Sequence, residues 1–234
     1  MTDRIDLSNI AYSSEYIRYR EEIINAAFKP ENKRGSETIN EDRVVLEIDN
    51  YLSGGEKKHY CGHTKVFTPE GKRLHEYFNL YDQHFLCKLI EYSDGRTYLV
   101  YREDLYGYSV FEPGTDNLFN YYPAATFKDG RETFIGTNMH YNIHNNVTAV
   151  EGCYWACPSD TVLIKTGNPL EMFSSYAVLH QIIDREYDIY DGIDFVAWEH
   201  RDIKLKCYNT TLTPPENEIK TLREDDYLGK MIKP

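Results

Sequence analysis

The feature that most constrains this chain is a pair of alternating strands that recurs about every 50 residues. The pairs begin at Val44, Thr97, Val147 and Asp194, with spacings of 53, 50 and 47 residues. They read VVLEI with GHTKVF, TYLVY with GYSVFE, VTAVEG with DTVLIK, and DFVAW with DIKLKCY. Alternation with a period of two predicts strands with one buried face. A repeat of about 40–50 residues is typical of units with up to four antiparallel strands, as in propeller blades.

The predicted fold is therefore all-β, with about four repeated antiparallel four-stranded units. We expect a propeller-like arrangement, incomplete or degenerate, and a two-sheet β-sandwich is the alternative. Parallel βαβ alternation is not visible, which argues against an α/β fold. We predict a helix and a linker in residues 1–42, a β domain in residues 43–208 and a polar tail in residues 209–234.

One short helix precedes the strands. Ser13 and Ser14 can cap the segment SEYIRYREEIINAAF, which Lys29-Pro30 ends. Helical spacing predicts a buried face that contains Ile17, Ile24, Ala27 and Phe28.

The charge of the chain limits its partners. The formal net charge is −12 and the isoelectric point is about 5.1. Such a field repels phosphate groups, so we expect neither a nucleic acid nor an anionic membrane surface as a partner. Because no apolar run has the length of a signal peptide or of a membrane span, we expect a cytoplasmic protein. The five cysteines, an odd number, favour reduced thiols.

Residues 138 to 171 concentrate the reactive residue types. His140, His144, Cys153 and Cys157 form the pattern H-x3-H-x8-C-x3-C, and two imidazoles with two thiolates suit tetrahedral zinc. The spacing fits loosely, because residues four apart on an extended strand are about 13 Å from each other. The alternative is that both cysteines pack beside Trp155 and that the histidines lie in a loop. We expect no cofactor, with zinc at these four residues as the alternative.

Two enzymatic hypotheses remain open. Cys157 can act as a nucleophile with His140 or His144 as base and Asp160 as the orienting carboxylate. A second hypothesis is carbohydrate chemistry by paired carboxylates drawn from Asp188, Asp191, Asp194 and Glu199. Turn aspartates and a solvated face explain the same acidic residues.

Tyrosine is the most unusual component, with 21 residues against ten phenylalanines. Aromatic side chains with one polar end suit ligand and partner surfaces, and they also suit strands. The residues nominated for ligand binding are Tyr92, Tyr98, Tyr101, Tyr106, Tyr108 and Trp155.

The second half of the chain carries a characteristic order of turns and strands. It contains the turn Asn145-Asn146, the strand VTAVEG, the strand and exit turn DTVLIKTGNP, and then DGIDFVAWEHRDIKLKCYN. This order resembles blades of the WD40-like β-propeller superfamily. Two hallmarks are missing: no Gly-His precedes the first strand, and Trp198 is followed by Glu199 rather than aspartate. The resemblance implies a rigid platform for partners and no particular reaction.

The sequence thus favours a non-catalytic binding or scaffold domain that recognises a protein or a small polar ligand. A zinc- or thiol-dependent enzyme and a carbohydrate-active protein are the alternatives.

Overall fold

The chain folds mainly into β-sheets. The computed structural model describes residues 5–53, 60–80, 86–155, 159–183, 189–209, 212 and 216–233. It contains four antiparallel sheets of three or four strands, which confirms the predicted all-β fold of repeated units. The chain divides into an N-terminal unit, Asp6–Glu91 with Arg96–Arg131, and a C-terminal unit, Met1–Ile5 with Tyr92–Gly95 and Glu132–Pro234.

The N-terminal unit contains two four-stranded sheets whose strands pair in chain order. The first sheet consists of β1 (Lys33–Glu41), β2 (Val44–Leu52), β3 (Tyr60–Phe67) and β4 (Arg73–Asn79). The second sheet consists of β5 (Cys87–Glu91), β6 (Thr97–Tyr101), β7 (Tyr108–Phe111) and β8 (Leu118–Tyr121). Two helices, α1 (Ser14–Ala27) and α2 (Ala124–Asp129), and a 3-10 turn at Pro30–Asn32 belong to the same unit.

Alternation along β2 creates the core of this unit. Val44, Leu46 and Ile48 are at most 2% exposed, whereas Glu47 between them is exposed. Their buried face packs with residues of the second sheet, including Leu99 and Tyr101. Burial of apolar area stabilises the unit by roughly 25 cal/mol per Å².

The C-terminal unit contains one four-stranded and one three-stranded sheet. The strands of the first are β9 (Ile135–Asn142), β10 (Val147–Cys153), β11 (Ser159–Lys165) and β12 (Ser175–Val178). The second comprises β13 (Gly192–Glu199), β14 (Asp202–Asn209) and β15 (Glu216–Leu222). The short helices are α3 (Leu179–Ile183) and α4 (Glu224–Leu228).

Residues of both sheets and of α4 form the core of the C-terminal unit. Val147, Leu163, Ile193, Leu205 and Tyr227 are fully buried in one cluster. The hydroxyl group of Tyr227 donates to the backbone oxygen of residue 201 at 2.6 Å, so the buried ring keeps a polar partner. The α4 segment is therefore part of this core.

The structure differs from the predicted linker and tail. Residues 33–41, within the predicted linker, form β1, and residues 216–222, within the predicted tail, form β15. Each is the outermost strand of its sheet and has one pairing partner, β2 or β14. An outer strand with two solvated sides needs no apolar face, so its polar sequence gives no alternation signal.

The N-terminal helix is confirmed, with Ser13 as its N-cap accepting from the backbone N–H of Tyr16 at 3.1 Å. Its predicted buried face is correct in part. Ala27 is buried and Ile24 and Phe28 are half-buried, but Ile17 is 43% exposed and Tyr16 is buried in its place. The helix turns Tyr16 inward because its hydroxyl group bonds to a buried carboxylate described below.

No helix in the described ranges is both long and apolar enough to span a bilayer.

A close backbone approach between β9 and β10 predicts a stability effect. A Cβ atom at Gly152 would lie 2.0 Å from the backbone oxygen of Ile135, whereas one at Gly167 meets nothing within 4 Å. We expect Gly152→Ala to lower the free energy of unfolding by about 3 kcal/mol, because a backbone atom must move. Gly167→Ala is the control and should change it by less than about 1 kcal/mol. Urea denaturation measures both, and equal stabilities would contradict the predicted clash.

Candidate functional site

The described members of the predicted zinc set lie apart. His140 is on β9 opposite Ala149, and Cys153 is at the end of β10 opposite Ile135. Four strand residues, about 13 Å, separate these two positions. His144 follows β9 in a turn, where its ring stacks on that of His200 at 4.6 Å. Cys157 lies outside the described residues, so the four-residue set stays a prediction.

Within the described ranges of the chain, no three His, Cys, Asp or Glu side chains are placed to hold one metal ion.

Residues of β9, β10 and β13 instead form a polar centre around Glu151. His140 Nε2 lies 2.7 Å from Glu151 Oε2, and the amide group of Asn138 donates to the same oxygen at 3.1 Å. The backbone N–H of Phe195 donates to Oε1 at 3.1 Å, and the Phe195 ring stacks on the imidazole at 3.9 Å. One carboxylate thereby joins β9, β10 and β13.

These contacts favour the charged form of Glu151. The hydrogen bond from His140 is the main cause that lowers the pKa of this carboxyl group, with smaller contributions from Phe195 and Asn138. Both carboxylate oxygens have donors from the protein, and the indole N–H of Trp198 donates to the backbone oxygen of His140 at 2.9 Å. The arrangement fixes strand positions, and this is the role that the geometry supports.

The orienting carboxylate of the thiol hypothesis has another partner. Asp160 Oδ1 lies 2.9 Å from Nδ1 of His180 in α3, and the two side chains are 0% and 1% exposed. His180 was not among the residues nominated from the sequence. Twenty residues separate it from Asp160, and only the position of α3 beside β11 brings them together. Because the pair is closed to solvent, it cannot contact a substrate.

The described carboxylates of the carbohydrate hypothesis do not form a facing pair. Asp194 accepts from the hydroxyl group of Ser159 at 3.0 Å, and Glu199 accepts from Lys204 at 2.5 Å. They are five residues apart on β13, roughly 15 Å, whereas glycosidases hold the two carboxyl groups about 5–9.5 Å apart. Asp191 has one buried carboxylate oxygen, and Asp188 lies outside the described residues.

The nominated aromatic residues do not form one surface. Tyr98 and Tyr101 are fully buried, because β6 is an inner strand whose last four residues are buried. Tyr92 is 3% exposed and belongs to the C-terminal unit, where its ring stacks on Tyr141. Tyr106 and Tyr108 are half-buried in the N-terminal unit. Trp155 is 62% exposed and is the nominated residue most open to a ligand.

A buried polar network that was not anticipated from the sequence follows β6. Tyr16 of α1 donates to Asp104 Oδ2 at 3.2 Å, and the backbone N–H of Leu105 donates to Oδ1 at 2.6 Å. Burial raises the pKa of Asp104 to about 6. Arg20 of α1 forms an ion pair with Glu103 beside it. The available signal was three charged residues, Arg-Glu-Asp, directly after a buried strand.

A concave, accessible surface lies beside β1. One cavity of about 310 Å³ is lined by residues that include Arg34, Tyr51 and Tyr60. A second cavity of about 380 Å³ is lined by residues that include Thr38, Glu47 and Lys65. Ser36 and Glu37 line both, so we name the two together the β1 groove. Volumes of about 300–1,000 Å³ are typical of ligand sites.

Side-chain hydrogen bonds hold the residues of the β1 groove in place. Asp49 accepts from the hydroxyl group of Ser36 at 2.6 Å and from the ammonium group of Lys33 at 2.7 Å. The amide group of Asn50 donates to Glu37 at 2.7 Å. These contacts join β1 to β2 by side chains as well as by the backbone.

No family model matches this chain, and neither a curated protein nor a solved structure shows significant similarity to it.

The Glu151 centre predicts a loss of stability at low pH. The pKa of Glu151 is lowered in the folded state, so its contribution is complete above the ordinary pKa of about 4.5 and is lost as the pH falls through the folded value. Glu151→Gln should lower stability by about 1–3 kcal/mol at pH 7, because charged hydrogen bonds are lost. Glu171→Gln is the control. A difference from wild type that does not shrink in denaturation below pH 4 would contradict the assignment.

Asp104 predicts a pH dependence of stability that is opposite in sign to that of Glu151. Its pKa rises from 3.8 to about 6 on folding, so the folded state binds the proton more tightly and becomes less stable as the pH rises from about 4 to 6. Asp104→Asn removes this loss. The stability of the variant relative to wild type should therefore rise by about 3 kcal/mol between pH 4 and pH 7. Denaturation curves at each pH measure it, with exposed Asp116→Asn as the control. A constant difference would exclude the predicted titration.

Proposed function

We propose that the protein is a non-catalytic binding domain that recognises an extended segment of a partner protein along β1. The supporting observation is the exposure of β1: its first six residues, 33–38, are all exposed, and the strand is the outermost of its sheet. Within the described residues, the backbone N–H of Lys33 donates to Pro30, and no backbone hydrogen bond from outside the sheet reaches residues 34–40 of β1. An outer strand of this kind offers unpaired N–H and C=O groups to an added strand.

The β1 groove adds side-chain recognition to this backbone edge. Each cavity is lined by residues of β1, β2 and β3, so long side chains of an added segment can reach over β1 into the groove. Tyr60, 61% exposed, offers aromatic surface, and Ser36 and Thr38 offer hydroxyl groups. The net charge of −12 favours a partner segment with positive charge, because the field speeds its approach.

A binding domain needs a rigid support, and the sheet supplies it. The exposed strand is paired with β2 over its length, and β2 contributes buried residues to the core. The propeller-like arrangement that the sequence resemblance implies belongs to the same proposal, as a platform that holds the strand in place.

Two neighbouring proline variants test the proposal. Successive residues of a strand point their N–H groups in opposite directions, so only one of Glu37 and Thr38 directs its N–H to the free edge. Proline at that position should leave the sheet folded, whereas proline at the other removes a hydrogen bond to β2. We expect one variant to keep the wild-type melting temperature within a few degrees and the other to lose stability.

The binding probe is a library of random nine-residue peptides displayed on phage, selected on the wild-type protein. Synthetic copies of selected peptides should lose at least about tenfold in affinity for the folded proline variant, because one backbone hydrogen bond and the strand path are removed. The control is Asp116→Pro, in an exposed loop of the same unit. Peptides that bind the folded variant as tightly as wild type would contradict strand addition, as would a library that yields no binder.

A further inference from the structure

The last strand of the chain, β15, has an open edge. It pairs with β14 through seven residues, and the described part of the chain makes no backbone hydrogen bond to its other side. Two other outer strands, β8 and β12, have hydrogen bonds from outside their sheets. The side chain of Asn9 donates to Asn120 of β8 in the N-terminal unit, and Ile232 exchanges two backbone hydrogen bonds with Tyr176 of β12 in the C-terminal unit.

The exposed residues of β15 are suited to pair with themselves. Ile219 at the centre is 57% exposed. Glu218 and Lys220 flank it, with side chains 54% and 35% exposed and their charges 3.4 Å apart. In an antiparallel pair with Ile219 opposite itself, Glu218 of each copy lies opposite Lys220 of the other. Opposite charges at directly facing positions stabilise a strand pair.

Charge selects this register over its neighbours. An antiparallel pair centred on Glu218 places two carboxylates opposite each other, and one centred on Lys220 places two ammonium groups together. Like charges at facing positions are destabilising. The register centred on Ile219 avoids both contacts and covers the exposed apolar side chain.

We propose that two copies of this protein associate through β15, joining their three-stranded sheets into one antiparallel six-stranded sheet. The interface is symmetric, since the same strand contributes from both copies. Each copy carries a net charge of −12, which opposes association. At physiological ionic strength the screening length is about 8 Å, so distant charges are screened more than the facing pairs. The dimer is therefore weak at low salt.

Cysteine cross-linking tests the register. Directly opposed residues have Cα atoms about 4.5–5.5 Å apart, which fits a disulfide bond. Ile219→Cys should therefore form a covalent dimer under mild oxidation. Thr221→Cys is the matched control: it faces Asn217 of the second copy and lies about 13 Å from its own equivalent, so it should not cross-link. Native cysteines are common to both variants. Equal cross-linking in both variants, or none in either, would overturn the register.

A charge swap tests the pairing. Glu218→Lys or Lys220→Glu alone should weaken self-association about tenfold or more, because two symmetric facing pairs become repulsive. The double variant, with both changes, should recover to within about threefold of wild type. Sedimentation equilibrium measures the association, and Lys230→Glu is the control. Glu218 also accepts a hydrogen bond from the hydroxyl group of Tyr190, so its substitution can affect folding. Circular dichroism therefore checks that each variant is folded.

Two results would overturn the proposal: a monomer at all concentrations up to about 1 mM, the weak limit of specific association, or a double variant no better than the single ones. The proline variants of β1 should dimerise as wild type does, so this test and the peptide test fail independently.

Discussion

The backbone ladder of each central strand pair is the interaction on which both units depend. The central antiparallel pairs are β2 with β3, β6 with β7 and β10 with β11, and in the three-stranded sheet the central strand β14 pairs with β13 and β15. A shift of one residue in the β2–β3 register would turn Val44, Leu46 and Ile48 to solvent, so the core of the N-terminal unit depends on the exact pairing. Outer strands are then free to be polar, as β1 and β15 are in the described part of the chain.

Side-chain hydrogen bonds join elements that the backbone ladders do not pair. Glu151 joins two sheets of the C-terminal unit through His140 and the backbone of Phe195, and Asp104 holds α1 through Tyr16. The two carboxyl groups titrate in opposite directions. Glu151 is surrounded by donors that favour its charge, whereas the burial of Asp104 disfavours its charge. Both carboxyl groups are held by contacts within the fold, and the proposed binding surfaces lie elsewhere, on the sheet edges.

The strand pairs were predictable because the alternation of apolar residues can be recognised from a few consecutive residues of the sequence. The outer strands were not, because residues such as Lys33 and Glu218 pair through the backbone and give no periodic signal. Only the first turn of α1 departs from the predicted buried face, because Tyr16 is buried with its hydroxyl group bonded to Asp104, while apolar Ile17 is exposed. The partners of Asp160 and Glu151 come from other elements, His180 from α3 and Phe195 from β13, and only the tertiary register reveals them. The sequence likewise did not reveal that two of the nominated tyrosines, Tyr98 and Tyr101, are buried in the core.

Amide hydrogen exchange at low protein concentration, followed by NMR, tests the central claim most directly. Exchange protection increases with the free energy needed to open a hydrogen bond. We expect the strongest protection in the three central pairs and in β14, and fast exchange for alternate amides of β1 and β15 that point to the open edges. Uniform protection along β1 and β15, or central pairs that exchange as fast as the edges, would contradict the dependence of the fold on its central ladders.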